Sequence, residues 1–343
     1  MTERVYLHIG LPKTGTTYLQ SALWQNKELL SEAGLLLPGR HRRRHLLATM
    51  DLCEDPKLAR RKGDVDSPWD DLVAEAREWP GDVLITAREM VGLAISRWQE
   101  YVRNGGRRPI DEYPASGAYD PTDEWGWASF DLADILARWG SVVPHDRMHI
   151  LPMAPDPSDP TELLNRFLSV MGYADVPVEM PEEPVNESLG LVEAELLRRT
   201  TAVMQDFRAA ADRGNWIRGY LAAPGVMPSS GERFRPSDER LAELEERGRR
   251  AVATLRDGGY DVAGDLSVLE PRDVRDRRQP GEVTDSEQLD VAVHVIAALM
   301  TRVRELTREQ HAPPKSKELP VTRVSVSRFV TGLVSKLRKD DTR

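Results

Sequence analysis

The chain has 343 residues and a formal charge of −9, with 40% hydrophobic and 30% charged residues and a mean hydropathy of −0.49. That length suits one large α/β domain with decorations or two domains; no apolar run approaches the roughly 20 residues that span a bilayer, and the acidic balance argues against non-specific nucleic-acid binding. The only cysteine, Cys53, excludes an internal disulfide and fits a reducing compartment, and MTERVYLHIG lacks a charged-then-apolar leader pattern, so a cytoplasmic location is expected.

The first predicted element is a short apolar strand, Val5 to Ile9, running into a tight loop that holds Gly10, Pro12 and Gly15. A helix follows with an apolar stripe of Leu19, Ala22, Leu23 and, further on, Leu30. A strand that feeds a glycine loop and a helix N-terminus aims backbone N–H groups and the positive end of the helix dipole at an anion. A nucleotide P-loop needs lysine directly after its second glycine and a hydroxyl residue for Mg²⁺. Gly10 and Gly15 have that spacing, but Thr16 stands at the lysine position and Lys13 has moved inside the loop. Mg²⁺ serves to neutralise a polyphosphate; a donor with less charge at the transferred group, such as a sulfuryl group, manages with one ammonium, amides and hydroxyls. The bland alternative is a plain strand-to-helix turn with its lysine in solvent.

The stretch LPKTGTTYLQ resembles the 5′-phosphosulfate loop of the sulfotransferases that use 3′-phosphoadenosine 5′-phosphosulfate (PAPS), and the chain as a whole most resembles their bacterial branch. The resemblance implies that Pro12, Lys13, Thr14, Gly15, Thr16 and Thr17 hold the donor's 5′ end. Lys13 would also stabilise charge on the bridging oxygen as the bond breaks, leaving 3′-phosphoadenosine 5′-phosphate (PAP). No metal is implied.

Next come Ala33 to Pro38, a short strand or buried connection that in the family leads toward the acceptor, and then the basic turn GRHRRRH. His45 opens an apolar segment, where it can accept a proton or sit as a partly buried helix-start residue. Residues 51–68 read as a loop and Trp69 to Trp79 as an amphipathic helix, stopped by Pro80 and Gly81. Three basic clusters (Arg40 with Arg42, Arg43 and Arg44; Arg60, Arg61 and Lys62; Arg103, Arg107 and Arg108) offer local charge for an anion or simply a solvated surface.

DVLITA is the second strand. Arg88 at its C-terminal end and Ser96 on the following helix make a clamp for a phosphate monoester, since ligands of open α/β sheets sit at the strand C-termini. TAREM…SRWQEYVR looks like the family's 3′-phosphate element, which implies that role for Arg88 and Ser96. A surface ion pair with an incidental serine is the alternative. Family members place a further strand and helix before this element, often ending in a Ser-His-Glu-like triplet with a candidate base. Set against that pattern this chain reads as omitting the unit, so Glu89 or His45 is left as the candidate base.

Residues 104–128 read as a long or lid-like loop whose Tyr113, Tyr119, Trp125 and Trp127 suit sugar or lipid contacts, or anchor the loop to the core. A helix from FDLADILARWGSVV, a third strand MHILPMA and a helix TELLNRFLSVMGY continue the alternation expected of a mostly parallel sheet. After a proline-rich connection, NESLG resembles a family segment beside the donor, making Asn186 and Ser188 candidate donor contacts; helix capping accounts for both as well. The rest reads as helical, with Ser237 as a cap and a helix end at Gly258-Gly259.

The expected architecture is α/β: a P-loop-like, mostly parallel sheet flanked by helices, with a helical C-terminal region. The expected divisions are an α/β domain over 1–270, a charged linker over 271–287 and a helical extension over 288–343, including a helix near Ser286 to Glu309. The basic amphipathic tail, with Val326, Phe329, Val330, Leu333, Val334 and Leu337 on one side, suits an anionic membrane surface, another subunit or the core. No tandem repeats or coiled-coil heptads are apparent. The function implied is transfer of a sulfuryl group from PAPS to a hydroxyl or amine of a small molecule, glycan or glycolipid. The alternatives are a catalytically degenerate PAP- or PAPS-binding protein and a P-loop kinase-like phosphotransferase.

Overall fold

Four short strands, β1 (Tyr6–His8), β2 (Asp82–Ala87), β3 (Met148–Pro152) and β4 (Asp261–Val262), pair in parallel in the order β1-β2-β3-β4. Tyr6 faces Asp82, Val83 faces Met148 and His149 faces Asp261. The fold is thus the expected α/β class. The computed structural model describes residues 4–42, 44–45, 81–115, 126–154, 159, 161–181, 188–207, 209–228 and 231–311. Cys53, the helix read at Trp69 to Trp79, Arg43, the 60–62 cluster, Tyr119, Trp125, Asn186 and the C-terminal tail lie outside them.

Every residue of β2 is buried, which is why Val83, Leu84 and Ile85 run on without alternation, while the buried Asp82 and Thr86 beside them find polar partners. Its period of two still sorts side chains between the two faces. Leu84, with Leu151 of β3, packs against α1 (Thr16–Gln25), α2 (Lys27–Glu32) and α5 (Glu162–Val170) through Leu19, Leu30 and Phe167. Val83, Ile85, Met148 and Ile150 face the other way, into a core shared with α3 (Met90–Arg103), α4 (Leu132–Gly140) and α7 (Asp238–Asp257). The central helix α3 serves two cores. Its first turns bury Val91, Leu93 and Ala94 at the sheet, and its later turns bury Trp98, Tyr101 and Val102 with α6 (Leu191–Val203).

Several local expectations change. Residues 33–38 form no strand; Leu35 and Leu37 are half-buried in an extended connection, while Leu36 is exposed. The strand β4 replaces part of what reads as helix after Gly259. Gly190, not Ser188, caps α6, and Ser188 is exposed. Tyr113 and Trp127 are anchors: Tyr113 is buried against Tyr101, and Trp127 packs on Phe130 beneath the guanidinium of Arg247. The 271–287 segment is not a loose linker. Val274 is buried in the sheet-side core, Pro280 is buried, and Arg278 bridges to Phe234 and pairs with Glu232 and Glu287. The first compact unit accordingly runs through Leu299, and residues from Met300 form a second. The last described helix, α8 (Asp285–His311), matches the helix expected there. Among the described residues no helix is long and apolar enough to cross a membrane.

Candidate anion site at the β1–α1 loop

The pairing of β1 with β2 continues past the strand ends: Leu11 N–H donates to Thr86 O at 3.0 Å and Thr86 N–H to Gly10 O at 2.7 Å. The buried Thr14 hydroxyl lies 2.6 Å from that of buried Thr86, and also donates to Leu11 O. Thr14 therefore fastens the loop to β2, and its side chain is directed inward, away from any ligand at the loop mouth. Only its backbone N–H is left to serve an anion.

Three loop residues take the left-handed conformation: Gly10 (φ 92°), Lys13 (φ 67°) and Gly15 (φ 80°). For lysine this costs about 1–2 kcal/mol. At Gly15 a Cβ would stand 2.7 Å from Leu163 Cδ2, so glycine is needed for both φ and space. Gly15 is also the N-cap of α1, with no side chain capping the helix and no acid in its first turn. Glu89 caps α3, Asp131 caps α4 and Ser237 caps α7; α2, α5 and α6 also lack a side-chain cap, but carry Glu28, Glu162 and Glu193 in their first turns. The start of α1 has exposed Pro12 and Thr17 and half-buried Thr16 around it, and its N-terminal donors and dipole have no carboxylate in their own first turn to satisfy them.

One face of α3 faces this loop. Gly92, Ser96, Glu100 and Arg103 recur at helical spacing on it. Arg88, just after β2, lays its guanidinium over Gly92: a Cβ there would meet Arg88 Nε at 3.5 Å and Nη2 at 3.6 Å. Ser96 follows one turn later. A further turn on, Glu100 Oε2 stands 3.7 Å from Lys13 Nζ. Eight residues of helix separate Gly92 from Glu100, about 12 Å of rise.

Glu100 is held from its other side by Arg218, 2.5 Å from Oε1, and by Asn104 Nδ2, which donates to Oε1 at 3.0 Å. Arg218 comes from a π-helical segment, Arg213–Leu221, and also donates to Asn104 Oδ1 at 3.2 Å. Burial lowers the Lys13 ammonium from its ordinary pKa; Glu100 opposes this, and the like charges of Arg103, Arg218 and Arg88 reinforce it. For Glu100 burial pushes upward, but Arg218, Lys13, the Asn104 hydrogen bond and Arg103 outweigh it and hold the carboxyl below its usual range. Three cations, Arg218, Lys13 and Arg103, thus act on one carboxylate in a chain that is acidic overall.

Lys13, Gly15, Thr16 and Thr17 follow β1 and Arg88 follows β2 at the C-terminal edge of the sheet, and Ser96 lies on α3 between Gly92, which Arg88 covers, and Glu100, which pairs with Lys13. Glu89 is turned inward: buried, it accepts from Val91 N–H and Gly92 N–H at 2.7 Å each, so both oxygens are committed to the start of α3. Burial raises its pKa against the pull of those N–H groups, Arg272 and Arg88. His45 is exposed, with Nε2 2.9 Å from Pro38 O and its ring edge-on to Trp24. Behind Arg88, between Met90, Phe130, Arg247 and Leu269, packing leaves about 10 Å3, room for one water at most. A larger anion must reach Arg88 from the loop side.

Glu100, Asn104 and Arg218 were not among the sequence candidates. Glu100 carries a signal, since it lies one turn beyond Ser96 on the same face; Arg218 carries none. Among the described residues of the three basic clusters, Arg103 is the one electrostatically coupled to Lys13. Compared with protein-family models, characterised proteins and solved structures, the chain matches none.

Proposed function

We propose that the β1–α1 loop binds the 5′-phosphosulfate of PAPS and that the protein transfers its sulfuryl group to a hydroxyl or amine of a small molecule, glycan or glycolipid. The observation that carries this reading is the position of Lys13 inside the loop, beside the uncapped start of α1 and on the same face of α3 as Arg88 and Ser96. Loop amides, Thr16 and Thr17 would hold the 5′ end, and Arg88 with Ser96 the 3′-phosphate. In transfer, the acceptor oxygen or nitrogen forms a bond to sulfur as the bond from sulfur to the bridging oxygen breaks. PAP leaves with that electron pair, and the acceptor loses a proton. Lys13 would stabilise the charge on the bridging oxygen.

A second reading is favoured by Glu89. A candidate base whose two oxygens already hold a helix N-terminus suits a protein that binds PAP or PAPS without turnover.

Thermal stabilisation by PAP, compared with ADP and ATP with Mg²⁺, tests the binding claim. A ligand at about a hundred times its Kd adds about 2.7 kcal/mol. Lys13→Ala and Arg88→Ala should each erase the PAP shift. Equal or better stabilisation by Mg²⁺–ATP overturns the assignment in favour of a phosphotransferase. PAP binding with no consumption of PAPS across an acceptor panel selects the second reading.

A further inference from the structure

Along α8, Val295 is buried in the α3–α6 core, and Val291 and Leu299 pack against it. A neighbouring face presents Leu289, Val293, Ile296, Met300 and Val303, each 54% to 64% exposed. Their spacing is four, three, four, three, the alternation of a coiled-coil seam, where a helix buries one apolar stripe against a second helix. The run is short enough to escape notice as heptads in the sequence. A contiguous apolar stripe on a helix that already has a buried face marks an interaction surface.

We propose that this stripe pairs with the same stripe of a second copy of the chain, antiparallel, about a two-fold axis near Ala297. The charges beside the stripe select that occupant. Asp290, Ala297 and Arg304 follow the seam at seven-residue intervals on one flank. In an antiparallel pair, Val293 meets Val303 of the second copy and Ile296 meets its Met300, which brings Asp290 beside Arg304 of the second copy twice by symmetry. A parallel pair instead sets Asp290 against Asp285 of the second copy, a like-charge contact. The chain's own tail is a poorer occupant: its Arg323, Arg328, Lys336, Arg338 and Lys339 find at the end of α8 only Glu305, already paired with Arg302, and Glu309 against three arginines, Arg302, Arg304 and Arg308. A seam this short buries less than the roughly 1,200 Å2 at which stable interfaces begin, so the dimer dissociates on dilution.

Sedimentation equilibrium of the full chain from micromolar to millimolar concentration tests the proposal. A monomer–dimer equilibrium is expected, abolished by Val293→Glu with Ile296→Glu, exposed positions where the fold tolerates a charge. Asp290→Arg and Arg304→Asp should each raise the dimer dissociation constant by at least about ten-fold, and the two together should restore it. A monomer throughout, a dimer indifferent to the stripe, or no recovery in the double exchange overturns it. So does a dimer that appears only when Phe329→Glu and Leu333→Glu are introduced, since the tail is then what covers the stripe.

Discussion

Lys13 and Glu100 form an ion pair at 3.7 Å that an arriving anion must compete with. Glu100 does not depend on Lys13 alone, because Arg218 and Asn104 hold its other oxygen. Glu100→Gln should therefore tighten PAP binding. For a partly exposed pair the gain is at most about 1 kcal/mol, roughly five-fold, measurable by titration calorimetry. Weaker binding in Glu100→Gln would instead mean that Glu100 orients Lys13. Because the Lys13 pKa is lowered, PAP affinity should fall as pH rises at values below the ordinary lysine range. Losing Glu100, which raises that pKa, should move the fall to still lower pH.

Gly15→Ala adds a methyl group 2.7 Å from Leu163 Cδ2 at φ 80°. Left-handed strain and overpacking should together cost about 2–3 kcal/mol in urea denaturation. Gly225 has nearly the same φ, 84°, but nothing within 4 Å of its added Cβ. Gly225→Ala should cost only about 1 kcal/mol; equal losses would mean that crowding by Leu163 is relieved.

His8 packs edge-on to Phe167 at 5.0 Å, and burial lowers its pKa from 6.5 to about 4. The unfolded chain then binds a proton below pH 6.5 that the folded protein refuses until about pH 4. Stability should fall as pH drops through that window, by up to about 3 kcal/mol. His8→Leu should flatten this part of the pH–stability profile; an unchanged slope would assign it to other groups.

Asp131 is buried, accepts from Ala133 N–H at 3.1 Å and Asp134 N–H at 3.3 Å, and pairs with Arg247 at 2.6 Å and Arg250 at 2.5 Å. Asp131→Ala removes a cap and leaves two guanidinium groups short of a partner, a loss of about 3 kcal/mol or more. Arg250 is half exposed, so Arg250→Ala should cost under about 1 kcal/mol. Comparable losses from the two would move the weight of the cluster onto Arg250.

The strands β2 and β3 were legible because a buried parallel strand needs an unbroken apolar run, and α7 because Ser237 and Gly258 punctuate it. The loop residues were legible because a positive φ demands glycine at two of three positions. Lys13 itself gave no such sign, being a non-glycine residue in a conformation that its neighbours impose. β4 escaped notice because two residues carry no period. Val274 reads as one apolar residue among charges, yet tertiary packing buries it. The loop-facing side of α3 was half legible: Ser96 could be read from a known pattern, but Arg218 reaches Asn104 across 114 positions of sequence, a contact that no local spacing encodes.

The hydroxyl contact between Thr14 and Thr86 joins the loop to the strand that ends at Ala87, just before Arg88. The two would-be grips on a long anion thus belong to one stiff frame, like the jaws of a locked calliper. Such a frame measures: a molecule whose charged ends are too close together or too far apart can engage one jaw but not both. Discrimination by length would then be built in before any side chain reads the base or the acceptor, and loosening Thr86, itself hidden from solvent, would blur it.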